Sequence, residues 1–409
     1  EWIGQVPEHW KVARVKRLAS LRNERRNAVS TDTIYIGLED VEAGSGQYKP
    51  TDGSSRQSED STVGIFYEGD VLYGKLRPYL RKAIISEMAG CCSTEFLVLR
   101  AEKTEPRWLQ EWLLTPDVTH QIVSGCEGAK MPRADWGHIG SIEVVYPDQP
   151  EQAKILTSLD RETARIDALI EKKTRFIELL NEKRQALITH AVTKGLDPNV
   201  KMKDSGIEWI GQVPEHWKVA RVKRLASLRN ERRNDVSTDT IYIGLEDVEA
   251  GSGQYKPTNG SSRQSEDSTV GIFYEGDVLY GKLRPYLRKA IISEMAGCCS
   301  TEFLVLRAEK TEPRWLQEWL LTPDVTHQIV SGCEGAKMPR ADWGHIGSIE
   351  VVYPDQPEQA KILTSLDRET ARIDALISKA EQSITLLKER RAAFITAAVT
   401  GQIDLRGKQ

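Results

Sequence analysis

Apolar residues in the first 150 positions fall in short runs broken by Gly, Asp and Ser. Ile34–Leu38, Val71–Leu76, Lys82–Ile85, Phe96–Leu99 and Ile142–Tyr146 have the β-branched, short-period character of strands. Before the last of these, Trp108, Leu109, Trp112 and Leu113 share one face at helical spacing, and Thr115-Pro116-Asp117 marks a break with a new helix start ahead of Val118. Strands interrupted by a helical patch predict a mixed α/β (α+β) globular domain over residues 1–150. From Glu151 the period changes. No Gly or Pro occurs up to about Val192, and Ile155, Leu159, Ile166, Leu169, Ile170, Ile177, Leu180, Leu187 and Ile188 recur at spacings of three, four and seven. This predicts an amphipathic helix over 151–194, roughly 60 Å long at 1.5 Å per residue. Gly195-Leu196-Asp197-Pro198-Asn199 ends it and opens a linker over 195–207.

The pattern then repeats. Sliding the chain on itself by 207 residues aligns Glu1–Ile170 with Glu208–Ile377, and only Ala28 against Asp235 and Asp52 against Asn259 differ. A period this long is a duplicated domain, not a solenoid. The second domain spans 208–357, the second long helix 358–400 and a C-terminal tail 401–409. Beyond Ile170 the copies diverge, but Ile177, Leu180, Leu187 and Val192 reappear as Ile384, Leu387, Phe394 and Val399. A preserved apolar stripe on two helices of one chain predicts that they bury each other as an antiparallel coiled coil.

Composition adds exclusions. With 39% hydrophobic and 28% charged residues the 409-residue chain is ordinary for a globular protein, and no stretch approaches the roughly 18 apolar residues of a membrane span. No signal-peptide pattern opens the chain and no Cys-x-x-Cys occurs, so the expected compartment is cytoplasmic. Cys91, Cys92 and Cys126, with Cys298, Cys299 and Cys333, are expected to be reduced core thiols, since adjacent cysteines share one tetrahedral ion poorly; no metal site is expected. The net charge is −4, and residues 1–150 hold 18 Lys and Arg against 22 Asp and Glu, so any nucleic-acid contact must come from local patches.

Catalytic motifs fail on inspection. Gly69-Asp70-Val71-Leu72-Tyr73-Gly74-Lys75-Leu76 matches a phosphate-binding loop through seven positions, but Leu76 stands where a magnesium-binding Ser or Thr is needed, and Arg77-Pro78 follows where a helix should start. Pro147-Asp148 with Glu171-x-Lys173 loosely suggests a nuclease set. However, Glu171 and Lys173 fall mid-helix, and Ser378 and Ala380 replace them in the second copy. There is no dinucleotide-binding glycine loop and no Asn-Pro-Pro-aromatic motif. His9, His120 and His138 are scattered. No catalytic residue is assigned, and the chain is expected not to be an enzyme.

Three segments carry candidate DNA-binding residues. Gly74–Lys82 places Lys75, Arg77, Tyr79, Arg81 and Lys82 in nine residues without an acid, in a turn fixed by Gly and Pro; arginines there suit guanine edges or phosphates. Gln47, Tyr48, Lys49, Ser54, Ser55, Arg56 and Gln57 form a polar loop, and Lys130 with Arg133 a third basic turn. The second copy repeats them as Lys282, Arg284, Tyr286, Arg288 and Lys289, as Gln254, Tyr255 and Arg263, and as Lys337 and Arg340. Lys11–Arg26 adds seven cations against Glu24 alone, a candidate for phosphate contacts. On residue types alone, solvated loops and a nucleic-acid surface are matched readings.

Several strings taken in order carry a resemblance: Glu1-Trp2-Ile3-Gly4-Gln5-Val6-Pro7-Glu8-His9-Trp10, Gly69 to Tyr79, Met131-Pro132-Arg133, and Pro150-Glu151-Gln152 leading into the long helix. They occur twice and cover nearly the whole chain. In this arrangement the chain resembles the specificity subunits of type I restriction-modification enzymes. The resemblance implies a non-catalytic subunit with two target-recognition domains that read a bipartite double-stranded DNA target. Its helices would act as spacers and dock two methyltransferase subunits, and restriction and motor subunits would join the assembly. It implies no cofactor in this chain; S-adenosylmethionine, ATP and magnesium would belong to the partners. Two copies of one reader predict an interrupted palindrome. The alternative is a stand-alone DNA-binding regulator or scaffold built from the same duplicated domains.

Overall fold

The computed structural model describes residues 3–30, 32–51, 61–126, 131–237, 239–258, 268–333, 338–403 and 405. The chain divides into two compact units. One comprises Glu1–Thr174 with Glu381–Gln409, the other Arg175–Ala380. Each unit therefore contains one sheet-rich domain and one half of each long helix.

In the first unit, strands β1 (Lys11–Arg14), β2 (Ala19–Leu21), β3 (Arg25–Arg26), β4 (Tyr35–Ile36), β5 (Val63–Phe66), β6 (Val71–Gly74), β7 (Ala83–Ile85), β8 (Gly90–Cys92), β9 (Phe96–Ala101) and β10 (Glu143–Tyr146) surround three short helices. These helices are α1 (Pro106–Leu114), α2 (Pro116–Ser124) and α3 (Trp136–Ser141). One four-stranded sheet has the order β2-β9-β6-β7 and a second the order β3-β5-β8-β4, while β1 pairs with β10. All pairings are antiparallel except β4 with β8.

Strand alternation explains how the first sheet is buried on both faces. Val71, Tyr73, Leu97 and Leu99 point toward Leu109, Trp112, Val118 and Ile139 of the helices. Their neighbours Leu72, Phe96 and Val98 face Ile36, Phe66 and Cys92 of the second sheet. Double burial is why β6 and β9 read as unbroken apolar runs. The same alternation separates the adjacent cysteines: Cys92 joins the core between the sheets, whereas Cys91 packs with Val63 and Ile65 on the other face. Burial pushes the Cys92 thiol up to about 12.

Several elements depart from the sequence pattern. The run Ile34–Leu38 is a strand only at Tyr35–Ile36 and then tightens into a 3₁₀ turn at Leu38–Asp40. There the buried Asp40 accepts from the backbone N–H of Gly37 at 2.8 Å and of Thr51 at 3.0 Å. Side-chain capping by Asp outcompetes the ladder at that point. The short strands β1, β2, β3 and β8 carry too few β-branched residues to stand out.

The long helices run Gln149–Lys194 and Gln356–Val399, 46 and 44 residues. Each begins two residues before the expected position because Asp148 accepts from the Glu151 N–H at 2.9 Å and Pro150 sits in the first turn, where it has no bond to lose. Within the first unit, Ile155, Leu156 and Leu159 of the first helix and Ala398 and Val399 of the second share one cluster with Trp10, Trp108 and Val145 of the domain. Asp167 there pairs with Arg391 at 2.9 Å. Within the second unit, Ile188, Ala191 and Val192 meet Ile362, Leu363 and Leu366 beside Trp217 and Trp315, and Arg184 pairs with Asp374 at 3.0 Å. In both units the start of one helix lies beside the end of the other, so the pairing is antiparallel.

Gln152 is the joint between domain and helix. It is fully buried; its Oε1 accepts from Thr104 Oγ1 and the Glu105 N–H, both at 2.9 Å, and its Nε2 donates to Pro147 O at 3.1 Å. Beside it Glu151 accepts from Trp10 Nε1 at 3.3 Å and meets His9 Nε2 at 2.8 Å. The Pro-Glu-Gln string thus joins three parts of the chain. Gln359 repeats the joint in the second unit with Thr311, Glu312 and Pro354. Gln152→Ala should strand a buried N–H and carbonyl and lower unfolding stability by roughly 2–3 kcal/mol. Exposed Glu171→Ala should stay within about 0.5 kcal/mol. Urea unfolding of the two variants checks this, and equal midpoints would contradict the role given to Gln152.

Candidate nucleic-acid interface

The turn between β6 and β7 is built from two left-handed arginines. Gly74 closes the hairpin by donating its N–H to Lys82 O at 2.9 Å. Beyond it Arg77 adopts φ 53°, ψ 61° and Arg81 φ 50°, ψ 58°, flanking a 3₁₀ turn of Pro78-Tyr79-Leu80. A non-glycine residue in this region costs roughly 1–2 kcal/mol, so the surroundings must hold it there. At Arg77 the hold is the segment Pro132–Ala134: Arg77 N–H donates to Pro132 O at 2.9 Å, and Ala134 N–H to Lys75 O at 2.8 Å. At Arg81 it is the hairpin around Gly44, whose N–H donates to Arg81 O at 2.9 Å. Main-chain bonds thereby join the basic turn to Pro132–Ala134 and to the hairpin that carries Gln47 and Tyr48, whose Gln47 O accepts from the Glu42 N–H at 3.0 Å.

Side chains on this surface divide in two. Arg81 Nη1 turns inward to the carbonyl of Leu114 at 3.4 Å, at the C-terminal end of α1 where carbonyls lack helical partners. Lys82 Nζ donates to Leu38 O at 2.7 Å. Gln110, buried in the helical patch, holds the hairpin from below through Gly46 O at 3.1 Å and Ala83 O at 3.0 Å. Lys75 is half-buried and engaged through its main chain, by its N–H to Glu95 O and its carbonyl from Ala134. By contrast Arg77, Tyr79, Gln47, Tyr48 and Arg133 are exposed, with Tyr79 at 50% and Tyr48 at 46%. Arg133 is steadied by Glu95 Oε1 at 3.1 Å.

The second domain reproduces the arrangement. Arg284 and Arg288 have φ of 53° and 50°; Arg284 N–H donates to Pro339 O at 2.9 Å and Gly251 N–H to Arg288 O at 3.0 Å. Lys289 Nζ reaches Leu245 O at 2.7 Å, and Lys282 is again half-buried, with its carbonyl accepting from Ala341. Arg340 pairs with Glu302 at 3.1 Å. Gln254, Tyr255 and Tyr286 are exposed like their counterparts. Arg56, Lys130, Arg263 and Lys337 lie outside the described residues, as do Ser54, Ser55 and Gln57.

The basic stretch Lys11–Arg26 is less uniform than its composition. Arg22 forms a two-pronged pair with buried Asp70 at 2.7 and 3.2 Å and lies over the Tyr67 ring, 4.7 Å from its centre. The hydrogen bond to Asp70 raises its pKa further. Arg26 pairs with Glu24, while Lys11, Arg14, Lys16, Arg17 and Arg25 are exposed. The phosphate-loop look-alike Gly69–Leu76 places Val71–Gly74 in a central strand, followed by a 3₁₀ turn at Pro78–Leu80 and no α-helix. Among the described residues no three His, Cys, Asp or Glu side chains converge as a metal site requires. No described helix is long and apolar enough to cross a membrane. Sequence reasoning missed Glu95, Gln110 and Asp70, none of which is marked by its neighbours: Gln110 is followed by the charged Glu111, and Asp70 sits in a polar turn after Glu68-Gly69.

Gly44 tests the bracing. It has φ +74°, and a Cβ there would lie 3.3 Å from Arg81 Nη2; Gly4, at φ +75°, has open space around the same position. Gly44→Ala should therefore cost more than Gly4→Ala, which carries only the backbone strain of about 1–2 kcal/mol. Thermal unfolding of the two variants compares them directly, and equal losses would remove the claim that Arg81 packs on the hairpin.

No protein-family model matches the sequence. The type I restriction enzyme EcoDI specificity subunit of Escherichia coli is 21% identical over an alignment covering 98% of this chain and 90% of that protein. A solved chain from work on complex assembly and conformational transition of the type I R-M system superposes with a TM-score of 0.66 at 18% identity, covering 98% of this chain and all of that one. The HsdS subunit from Thermoanaerobacter tengcongensis gives 0.53 at 19% identity, with 98% of each chain covered. Two sheet-rich domains, each followed by a long helix, are thus an arrangement this chain has in common with solved specificity subunits, and over nearly its whole length it is similar, in sequence and in fold, to the specificity subunits of type I restriction enzymes.

Proposed function

We propose that this chain is the DNA-specificity subunit of a type I restriction-modification enzyme, a non-catalytic reader of a bipartite double-stranded DNA target. The observation that carries the reading is the cross-braced loop cluster, present once in each domain. Arg77, Tyr79, Gln47, Tyr48 and Arg133 project from a surface whose backbone is fixed on three sides, as do Arg284, Tyr286, Gln254, Tyr255 and Arg340. Arginine and amide side chains read guanine and adenine edges bidentately, and tyrosine packs on sugar or base. Arg81, Lys82, Arg288 and Lys289 fix the loop from within, with Lys75 and Lys282 at its base. Arg56, Lys130, Arg263 and Lys337 belong to the same proposed surface by sequence position. Exposed Lys11, Arg14, Lys16, Arg17 and Arg25 supply phosphate contacts.

The long helices serve as spacer and dock for two methyltransferase subunits, to which restriction and motor subunits add. Exposed Leu169 and Leu179 recur 207 residues later as exposed Leu376 and Leu386, which favours two equivalent docked partners over a stand-alone regulator. S-adenosylmethionine, ATP and magnesium belong to those partners. Two near-identical readers on one chain favour one half-site sequence read twice in inverted orientation, so the proposed target is an interrupted palindrome.

The test is selection from a pool of interrupted random half-sites by the full chain with its adenine methyltransferase, comparing wild type with Arg77→Ala/Arg284→Ala. One inverted-repeat motif should emerge. The double variant should lose binding by at least tenfold, since each lost base contact costs about 1–3 kcal/mol, with unchanged thermal stability. Two unlike half-sites would overturn the palindrome. No enrichment at low salt and no co-purifying methyltransferase would overturn the function.

A further inference from the structure

The two recognition domains are all but identical in sequence, yet the helices beside them are not. In the second unit, Arg288 is a node of three contacts: its Nη1 donates to Leu321 O at 3.3 Å and to Gln185 Oε1 of the first long helix at 3.3 Å, and its guanidinium packs against Gly251. Gln185 is oriented for this, because its amide nitrogen donates to Thr189 Oγ1 one turn further along, leaving the oxygen for the arginine. The position 207 residues later is Ala392. In the first unit, Arg81 still bonds Leu114 O and packs against Gly44, but the methyl of Ala392 offers no acceptor. An open groove of about 400 Å³ there is lined by Gly44, Arg81, Leu114, Arg391 and Ala392 among others.

We infer that Gln185 is a positioning residue that ties the reading loop of the second domain to the helix pair, and that the first domain lacks this tie. Near-identical domains are then unequal readers. The second holds Arg284 and Tyr286 with less freedom to lose on binding DNA, and so binds its half-site more tightly and discriminates more sharply than the first. The node makes this transmission direct: Arg288 O also accepts the N–H of Gly251, so the same residue fixes both the arginine turn and the hairpin that carries Gln254 and Tyr255. A single hydrogen bond of ordinary net worth changes a local opening equilibrium about two- to tenfold. The inference rests on the reading of these loops as the DNA surface.

Two measurements on the full chain test it. Hydrogen exchange reads the tie without DNA: peptides covering 41–55 and 248–262 are alike except for Asp52 and Asn259, which tells them apart by mass. Main-chain amides around Gly251 should exchange about two- to tenfold more slowly than those around Gly44. Gln185→Ala should remove the difference, and Ala392→Gln should slow the Gly44 region to match. Equal exchange in wild type overturns the inference. DNA binding reads the consequence, with the chain in complex with its methyltransferase and the selected site as probe. Arg284→Ala, which leaves the first domain as reader, should weaken binding several-fold more than Arg77→Ala, and Ala392→Gln added to Arg284→Ala should recover most of that gap. Equal losses for the two arginine variants alongside unequal exchange would overturn the unequal reading and leave only the mechanical tie. Failure of either variant to weaken binding would instead count against the loops as the DNA surface.

Discussion

Burial of an apolar floor under each sheet domain is the constraint on which the rest of the molecule depends. Trp10, Trp108 and Val145 form that floor in the first domain, and it is sealed both by the helix that leaves the domain, through Ile155 and Leu159, and by the far end of the other helix, through Ala398 and Val399. The second domain has the same plan with Trp217, Trp315 and Val352 against Ile362, Leu366, Ala191 and Val192. In each unit that floor is therefore covered by helical segments far apart in the chain, and the first unit is itself assembled from two separate stretches, Glu1–Thr174 and Glu381–Gln409. This fixes helix register more firmly than charge does. The pairs Asp167–Arg391 and Asp374–Arg184 are partly exposed and contribute about 0–1 kcal/mol each, whereas a register shift would uncover several fully buried apolar side chains at about 1.5–3 kcal/mol apiece. The ion pairs select among registers that apolar burial has already narrowed.

Much of this was legible in the residues because it is periodic. The 207-residue offset, the helical stripe from Ile155 to Ile188 and the turn chemistry of Gly195–Asn199 all translate into structure through spacing alone. Short strands were harder. Gly90–Cys92 pairs with two neighbours despite containing no β-branched residue, because small residues fit where Phe66 crowds the backbone: a Cβ at Gly90 would lie 2.6 Å from the Phe66 ring. Such a position is dictated by a tertiary neighbour. The joint at Gln152 is of the same kind, since its string stands out while its partners Thr104 and Glu105 lie some 50 residues upstream with nothing to mark them.

The candidate interface was legible as a composition and illegible as a division of labour. Counting cations placed Arg77, Arg81 and Lys82 in one class. Their fates differ because main-chain carbonyls with acceptor capacity to spare, Leu114 O and Leu38 O, lie within reach of Arg81 and Lys82, whereas Arg77 stays exposed. Cations that satisfy buried carbonyls hold their neighbours still, and that is useful at a recognition surface. A strained arginine whose main chain is bonded to a neighbouring segment, as Arg77 is to Pro132, has less entropy left to lose.

On the proposed reading, an acidic protein that uses a few exposed arginines and tyrosines to read DNA has a physical logic. Sequence-independent affinity for duplex DNA grows with the number of phosphates neutralised, and a net charge of −4 keeps that contribution small. Specific binding would then be left to local contacts whose geometry is set in advance by the main-chain bonds that hold Arg77 and Arg284. What counts in a cell is the ratio of specific to non-specific affinity across a vast excess of competing sites. In that reading, weak overall attraction combined with rigid local readers would raise that ratio, and a second reader on the same chain would multiply it. The floor beneath each domain, by fixing helix register within its own unit, would support such a reader without touching DNA.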